Sequence, residues 1–268
     1  MNVSAEALAR ELLMKHDGAG AGAIALRRVT TGMSDAAVFR ARQKGRVPRY
    51  VKVAFDAAAI ALREEIARTQ WLSKRGIAVP PVLRVADRDD GTAVLMAAIA
   101  GVPADVSTLA TARLIAALAQ AVKALHALPP ANCPFDETLA ARLNRAQAAI
   151  DAGEIDPAEF EPHNRDTAPA DLLRRLRAAP PHENPTVVHG DLTLGNIIVD
   201  DNGACGFIDC GNAGRADRAD RYTDLALLHA DIVAHRGEKA GAEFLAACGI
   251  THWDAAKAQY FLDLYELF

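Results

Sequence analysis

Cysteine is scarce in this chain of 268 residues: Cys133, Cys205, Cys210 and Cys248 are the whole set. None stands in a C-x-x-C pair and no His/Cys cluster has zinc-site spacing, so neither a disulfide framework nor a zinc module organises the sequence. The thiols are expected to be reduced and half-buried, as in a cytosol. Long apolar runs are missing too; none reaches the roughly 20 residues that span a bilayer. The opening stretch MNVSAEALARELLMK has no basic region followed by an apolar one, so no signal peptide is expected. It reads as an amphipathic helix capped by Ser4. Basic excess is also absent. The net charge is −4 and the pI about 6.1, which leaves no footprint for nucleic acid. The expectation is a cytoplasmic protein with neither nucleic acid nor membrane as partner. There is no long repeat and no low-complexity tail. What remains suits a packed globular protein: 51% hydrophobic residues and a mean hydropathy of +0.03.

The first hundred residues punctuate like a sheet. Segments 24–31, 36–42 and 49–55 are short, rich in Val, Ile, Phe and Tyr, and separated by turn residues. A helical stretch follows over 56–76, with Gly76 as its expected C-cap. Segments 81–87 and 92–99 make another strand pair across Arg-Asp-Asp-Gly. After 101–103 the character changes, and 107–128, 136–152 and 168–178 have helical periodicity. Strands are expected again at 186–189, 196–200 and 206–209, the last two joined across Asp-Asn-Gly, a hairpin signal. Helices finish the chain. The fold class is therefore α+β, with a β-sheet N-lobe over 1–97 and a mainly helical C-lobe over 98–268. Clefts between lobes are favoured ligand sites.

The segment VVHGDLTLGNIIVDDNGACGFIDCG carries the chemistry. Phosphoryl transfer to a hydroxyl needs a carboxylate to orient and deprotonate the acceptor. It needs hard oxygen ligands for Mg²⁺ and a cation on the phosphates. Asp191 suits the first role; Asn196 and Asp209 suit the second. The spacing parallels the catalytic loop and metal-binding segment of protein kinases. A lone His-Gly-Asp would more simply be a set of capped turns; the whole array between two apolar strands is not. Lys52 lies in the apolar strand Tyr-Val-Lys-Val-Ala-Phe, and Glu65 in the next helix could hold it on the phosphates, with Glu64 as competitor. The nucleotide loop is Thr31-Gly32-Met33-Ser34-Asp35-Ala36, which is no G-x-G-x-x-G, though its glycine turn could still aim N–H groups at a phosphate.

These residues resemble the aminoglycoside O-phosphotransferases, the antibiotic-resistance kinases of 3'-hydroxyl type. The landmarks are SDAAVFR, YVKV, REEIARTQWL, CPFD, VVHGDLTLGNIIVD, GFIDCG, ADRYTDLAL and the closing YELF, spread over nearly the whole chain. The resemblance implies a bilobal protein-kinase-like fold and ATP or GTP as donor with Mg²⁺. It implies Asp191 as catalytic base, Asn196 and Asp209 as metal ligands, and Lys52 with Glu65 as the phosphate pair. Ser34 would lie over the phosphates, and Met96 and Ala98 in the adenine hinge. Asp224 would brace the catalytic loop, its alternative being a helix N-cap. Glu161, Asp231, Glu266 and the carboxylate of Phe268 would meet the ammonium groups of a cationic aminosugar, which suit acidic partners.

Several positions depart from that pattern. Ala98, Pro162, Ala234, His235 and Tyr265 stand where the family has acids, and Ala-Asp-Arg-Ala-Asp-Arg at 216–221 looks like a three-residue insertion. The expected activity is transfer of a γ-phosphoryl group to an aminoglycoside hydroxyl, with the 3'-hydroxyl as acceptor. The rival readings are the same fold acting on another small amino-alcohol or sugar, and a nucleotide-binding pseudokinase module.

Overall fold

Ser4 starts the first helix as the sequence predicts: its Oγ accepts the Ala7 N–H at 3.2 Å, ahead of α1 (Ala5–Asp17). The computed structural model describes residues 4–18, 23–30, 36–182, 186–212, 214–216 and 220–268. The chain divides into two compact units, one of Met1–Gly101 with Gly206–Gly211 and one of Val102–Cys205 with Asn212–Phe268.

In the first unit, β1 (Ala25–Val29), β2 (Ala37–Arg42) and β3 (Arg49–Phe55) lead into α2 (Asp56–Ser73), β4 (Val82–Asp87) and β5 (Gly91–Ala97). The strands form one antiparallel sheet in the order β1-β2-β3-β5-β4. Alternation along β3 sends Val51 and Val53 to one face, where they bury with Leu8, Leu12 and Leu13 of α1. Ala54 faces the other way, packing with Leu62 and Ile66 of α2. That second face is also the side on which Lys52 leaves the strand. Asp17, at the end of α1, takes both Nη groups of Arg49 at 2.6 and 2.8 Å, a forked pair that ties the helix to β3. The Arg49 bond, ahead of the charges around it, holds the Asp17 carboxyl below the usual range. Helix α2 runs to Ser73 with Lys74 as its cap residue, and Gly76, at φ 78°, closes the final turn in the left-handed position expected of it, its N–H on the Ser73 carbonyl at 3.1 Å. There the Ile77 N–H reaches back to the Leu72 carbonyl at 3.2 Å.

The second unit opens with β6 (Val102–Pro103), then α3 (Thr111–His126), α4 (Leu139–Ala152) and α5 (Pro169–Ala178). β7 (Thr186–Val188) and β8 (Ile197–Val199) follow, and β8 pairs with β6. The turn after β8 is closed by the Asp200 N–H on the Ala204 carbonyl at 3.0 Å, after which β9 (Cys205–Phe207) carries the chain back towards residues of the first unit. A strand the sequence did not announce, β10 (Gly214–Ala216), pairs antiparallel with β7. The chain ends with α6 (Tyr222–Arg236), α7 (Glu238–Ala247) and α8 (Ala255–Tyr265). Leu143, Leu172, Leu176, Phe261 and Leu264 bury together, so α4, α5 and α8 share one core with the start of α6. The tandem at 216–221 falls partly outside the described residues. Of its last two residues, Asp220 is buried against Lys257 and Arg221 leads into α6. All four cysteines are free thiols, and burial pushes Cys205, Cys210 and Cys248 up to about 11, 12 and 11. No helix among the described residues is long and apolar enough to cross a membrane.

Candidate active site

Three charged groups meet in the first unit. Lys52 Nζ donates to Glu65 Oε1 at 2.7 Å and to Asp209 Oδ1. The choice between the two glutamates is thereby made: Glu64 points to Arg68 at 2.9 Å instead. Burial alone would favour the neutral amine of Lys52, but the charges of Glu65 and then Asp209 override it and hold the ammonium well above the ordinary lysine range. Asp209 sits at φ 54°, a left-handed backbone that costs a non-glycine residue strain. Its side chain is 47% exposed and Lys52 takes only one of its oxygens, so the other remains for a ligand. Met96 is buried in the sheet core. The N–H groups of Ala97 and Ala98 donate to the carbonyls of Pro81 and Pro48, each at 2.9 Å, so neither of these donors is open to a base. Ser34, with residues 31–35, lies outside the described residues.

In the second unit, Asp191 follows β7 in a loop shaped by a single glycine. Gly190 has φ 85°, and a Cβ there would lie 2.5 Å from the Asn212 carbonyl oxygen, which is why glycine precedes the aspartate. Asp224, buried in the first turn of α6, holds this loop. Its Oδ2 accepts the His189 N–H and its Oδ1 the Gly190 N–H, both at 2.9 Å, and His126 Nε2 lies 2.8 Å from Oδ2. It is thus a brace and not an N-cap. Burial acts to raise its pKa; the His126 bond leads the effects that hold it low instead. Asn196 turns its amide nitrogen to the Asp191 carbonyl at 2.9 Å and to Asp191 Oδ2 at 3.0 Å, which leaves the amide oxygen pointing elsewhere. The remaining carboxylate oxygen, Asp191 Oδ1, accepts the Tyr265 hydroxyl at 2.8 Å. Burial foremost, then the Asp191 charge, pushes the Tyr265 phenol well above its ordinary range, so it stays a donor.

The acids expected on the acceptor side have unequal surroundings. Asp231 Oδ2 accepts the Leu194 N–H at 2.7 Å, bracing the turn before Asn196, and its Oδ1 faces His235 at 3.0 Å. Glu266 has one oxygen on the buried Asn164 amide at 2.9 Å and the other on the Glu161 N–H at 3.2 Å. The same Asn164 nitrogen reaches Asp263 at 3.0 Å, and Arg175 closes the network on Asn164 at 2.7 Å and Asp263 at 3.1 Å. Glu161 itself is exposed. The Phe268 ring lies 5.1 Å from the Arg142 guanidinium. Sequence reasoning treated Tyr265 only as a missing acid and passed over Asn164. The first could have been found by asking what a tyrosine hydroxyl near the closing Tyr-Glu-Leu-Phe would bond. No signal in the sequence marks the second.

The profile of the "Phosphotransferase enzyme family" matches residues 25–258. The chain belongs to that family. This phosphotransferase is 36% identical to the streptomycin 3''-kinase of Streptomyces griseus over 89% of its own length and 90% of that protein's. It is 29% identical to the aminoglycoside 3'-phosphotransferase of Niallia circulans over 88% and 90%. Among solved structures, an aminoglycoside phosphotransferase of 3'' type from Streptomyces rimosus, in complex with ADP and streptomycin, superposes with a TM-score of 0.80 at 33% identity, covering 99% of both chains. An aminoglycoside 3'-phosphotransferase of type VIII gives 0.84 at 31%, covering 97% and 98%. The α+β, protein-kinase-like fold read from the sequence is the fold of these relatives.

Proposed function

We propose that this phosphotransferase moves the γ-phosphoryl group of ATP, or of GTP, to a hydroxyl of an aminoglycoside and so inactivates the antibiotic in the cytoplasm. The observation that carries the reading is the state of Asp191. It is a carboxylate fixed through one oxygen by Asn196 and presenting the other to a hydroxyl donor, in a chain that matches an ADP–streptomycin complex along its length. That is what orienting an acceptor hydroxyl requires.

In this reading residues 1–97 hold the nucleotide and 98–268 the acceptor. Lys52, fixed by Glu65, neutralises the phosphates. Ser34 contributes from its loop, and the chain around Met96 and Ala98 offers the adenine the peptide groups not already bonded. The donor set fits a hard divalent cation. Asp209 keeps one carboxylate oxygen, and the Asn196 amide, whose nitrogen is turned to Asp191, keeps its oxygen. Asp209 and Asn196 would hold Mg²⁺, which when bound supplies charge neutralisation on the β- and γ-phosphates. Glu161, Asp231, Glu266 and Phe268 form the acidic side that receives ammonium groups, with Glu161 the most accessible of the three side-chain acids. The sequence landmarks point to a 3'-hydroxyl acceptor. A second reading, the 3''-hydroxyl of streptomycin, is favoured by the higher identity to the streptomycin kinase, 36% against 29%. ADP release on streptomycin and on kanamycin-type substrates with and without a 3'-hydroxyl, with the phosphorylated position mapped by NMR, tests both. No turnover on any of them refutes the proposal.

A further inference from the structure

Asp191 has two carboxylate oxygens, and the structure treats them differently. Oδ2 is held by Asn196, from five positions along the same loop. Oδ1 is bonded by the hydroxyl of Tyr265 at 2.8 Å, from the last residue of α8. A phenol O–H and a sugar O–H are the same kind of group to a carboxylate: each donates one hydrogen bond. An acceptor about to lose its proton must donate to Asp191, and Tyr265 already does so. The side chains two positions before the tyrosine and one position after it are anchored. Asp263 is bonded by Asn164, Gln259 and Arg175, and Glu266 by Asn164 and the Glu161 N–H.

Resting on the functional reading above, we propose that Tyr265 is a specificity-determining gate. Its hydroxyl occupies the acceptor's place on Asp191 Oδ1 until a sugar hydroxyl displaces it. Water gives Asp191 Oδ1 only the one hydrogen bond that the phenol already supplies, and gains nothing by exchanging with it. An aminosugar brings ammonium contacts elsewhere on the acidic side, and that remote binding drives the exchange. The gated step balances simply. The acceptor O–H gives its proton to Asp191 and its oxygen bonds the γ-phosphorus. The bond from that phosphorus to the bridging oxygen breaks, and the nucleoside diphosphate leaves with the electron pair.

Tyr265→Phe keeps the ring and removes only the hydroxyl. ATP hydrolysis without acceptor should rise about fivefold or more, and the acceptor KM should fall by a similar factor, as expected for loss of one competing charge-assisted hydrogen bond. The kcat for acceptor and the KM for ATP should stay within about twofold. Tyr265→Leu, lacking both ring and hydroxyl, should show the same rise in hydrolysis, so a folding defect in one variant leaves the other to decide. Hydrolysis no faster than in the parent overturns the gate. So does a tenfold fall in kcat at unchanged acceptor KM, which would make Tyr265 a residue that only positions Asp191. The hydrolysis measurement needs no aminoglycoside, so it separates failure of the gate from failure of the functional reading.

Discussion

In the first unit, opposite charges are already matched before any ligand arrives: Lys52 between Glu65 and Asp209. In the second, the carboxylate of Asp191, the proposed base, accepts among the described residues only from neutral donors, the Tyr265 hydroxyl and the Asn196 amide. The difference follows from what each must do. A lysine meant for phosphates has to stay charged inside a protein, and paired carboxylates secure that at the cost of an ion cluster that must partly open. A base meant to take a proton from a hydroxyl is better left without a direct ion-pair partner, because a bound cation would weaken its pull on that proton. One site is built for permanence of charge, the other for exchange of a hydrogen bond.

The sharpest way to break this contrast is Asp191→Asn. Turnover should fall by about 10²-fold or more while the calorimetric affinity for ATP is kept, since in the proposed function Asp191 meets the acceptor and not the nucleotide. Residual activity above about a tenth would show that the neutral-donor site is not where the proton goes. Next in size is the ion cluster. Asp209→Ala should abolish the Mg²⁺ dependence of nucleotide binding. Lys52→Met should weaken ATP binding and, by stranding the part-buried Glu65, lower stability by about 2 kcal/mol. A denaturant midpoint unchanged in Lys52→Met would mean the cluster is not formed in the free enzyme. Smaller again is Gly190→Ala. The Cβ at φ 85° and 2.5 Å from the Asn212 oxygen should cost about 1–3 kcal/mol and displace Asp191, lowering kcat more than it raises the acceptor KM. Equal stability of this variant would contradict the described loop.

Much of the first site was legible because it is built on local rules. Strand alternation turned Lys52 out of the core toward one sheet face, and the helix that follows offered Glu65 as its partner, with Glu64 as competitor. The loop around Asp191 was legible as a motif because it lies in one continuous stretch around a short hairpin, whereas Asp224, 34 positions beyond Gly190 on α6, was legible as its brace only through the family resemblance. What escaped was long-range. Tyr265 bonds a residue 74 positions earlier, and Asn164 joins acids about a hundred positions away. No periodicity encodes such pairs; the packing of α8 on α6 and α5 brings them together. β10 escaped for a different reason: a strand of three residues, Gly-Arg-Ala, carries too little pattern to be announced. Gly76, by contrast, was legible, because the left-handed position that closes a helix end selects glycine.

The finest test separates acids that hold the protein together from those left to meet a ligand. Glu266 has both oxygens bonded within the protein, and Asp231 supports the Leu194 N–H, so altering either disturbs structure along with charge. Glu161 offers its side chain to solvent while its backbone N–H is anchored on Glu266. Glu161→Gln therefore removes a charge with little else changed. An exposed carboxylate facing an ammonium contributes about 0.2–1 kcal/mol, so the acceptor KM should rise by a factor of about 1.4 to 5, with kcat, ATP affinity and melting temperature held. The rise should shrink as salt is added, because exposed charges are screened over roughly 8–10 Å at moderate ionic strength. An unchanged KM at low salt would remove Glu161 from the acceptor side. A KM that rises together with a fall in melting temperature would instead assign Glu161 to the anchoring network of Asn164, Asp263 and Glu266, on the structural side of the comparison.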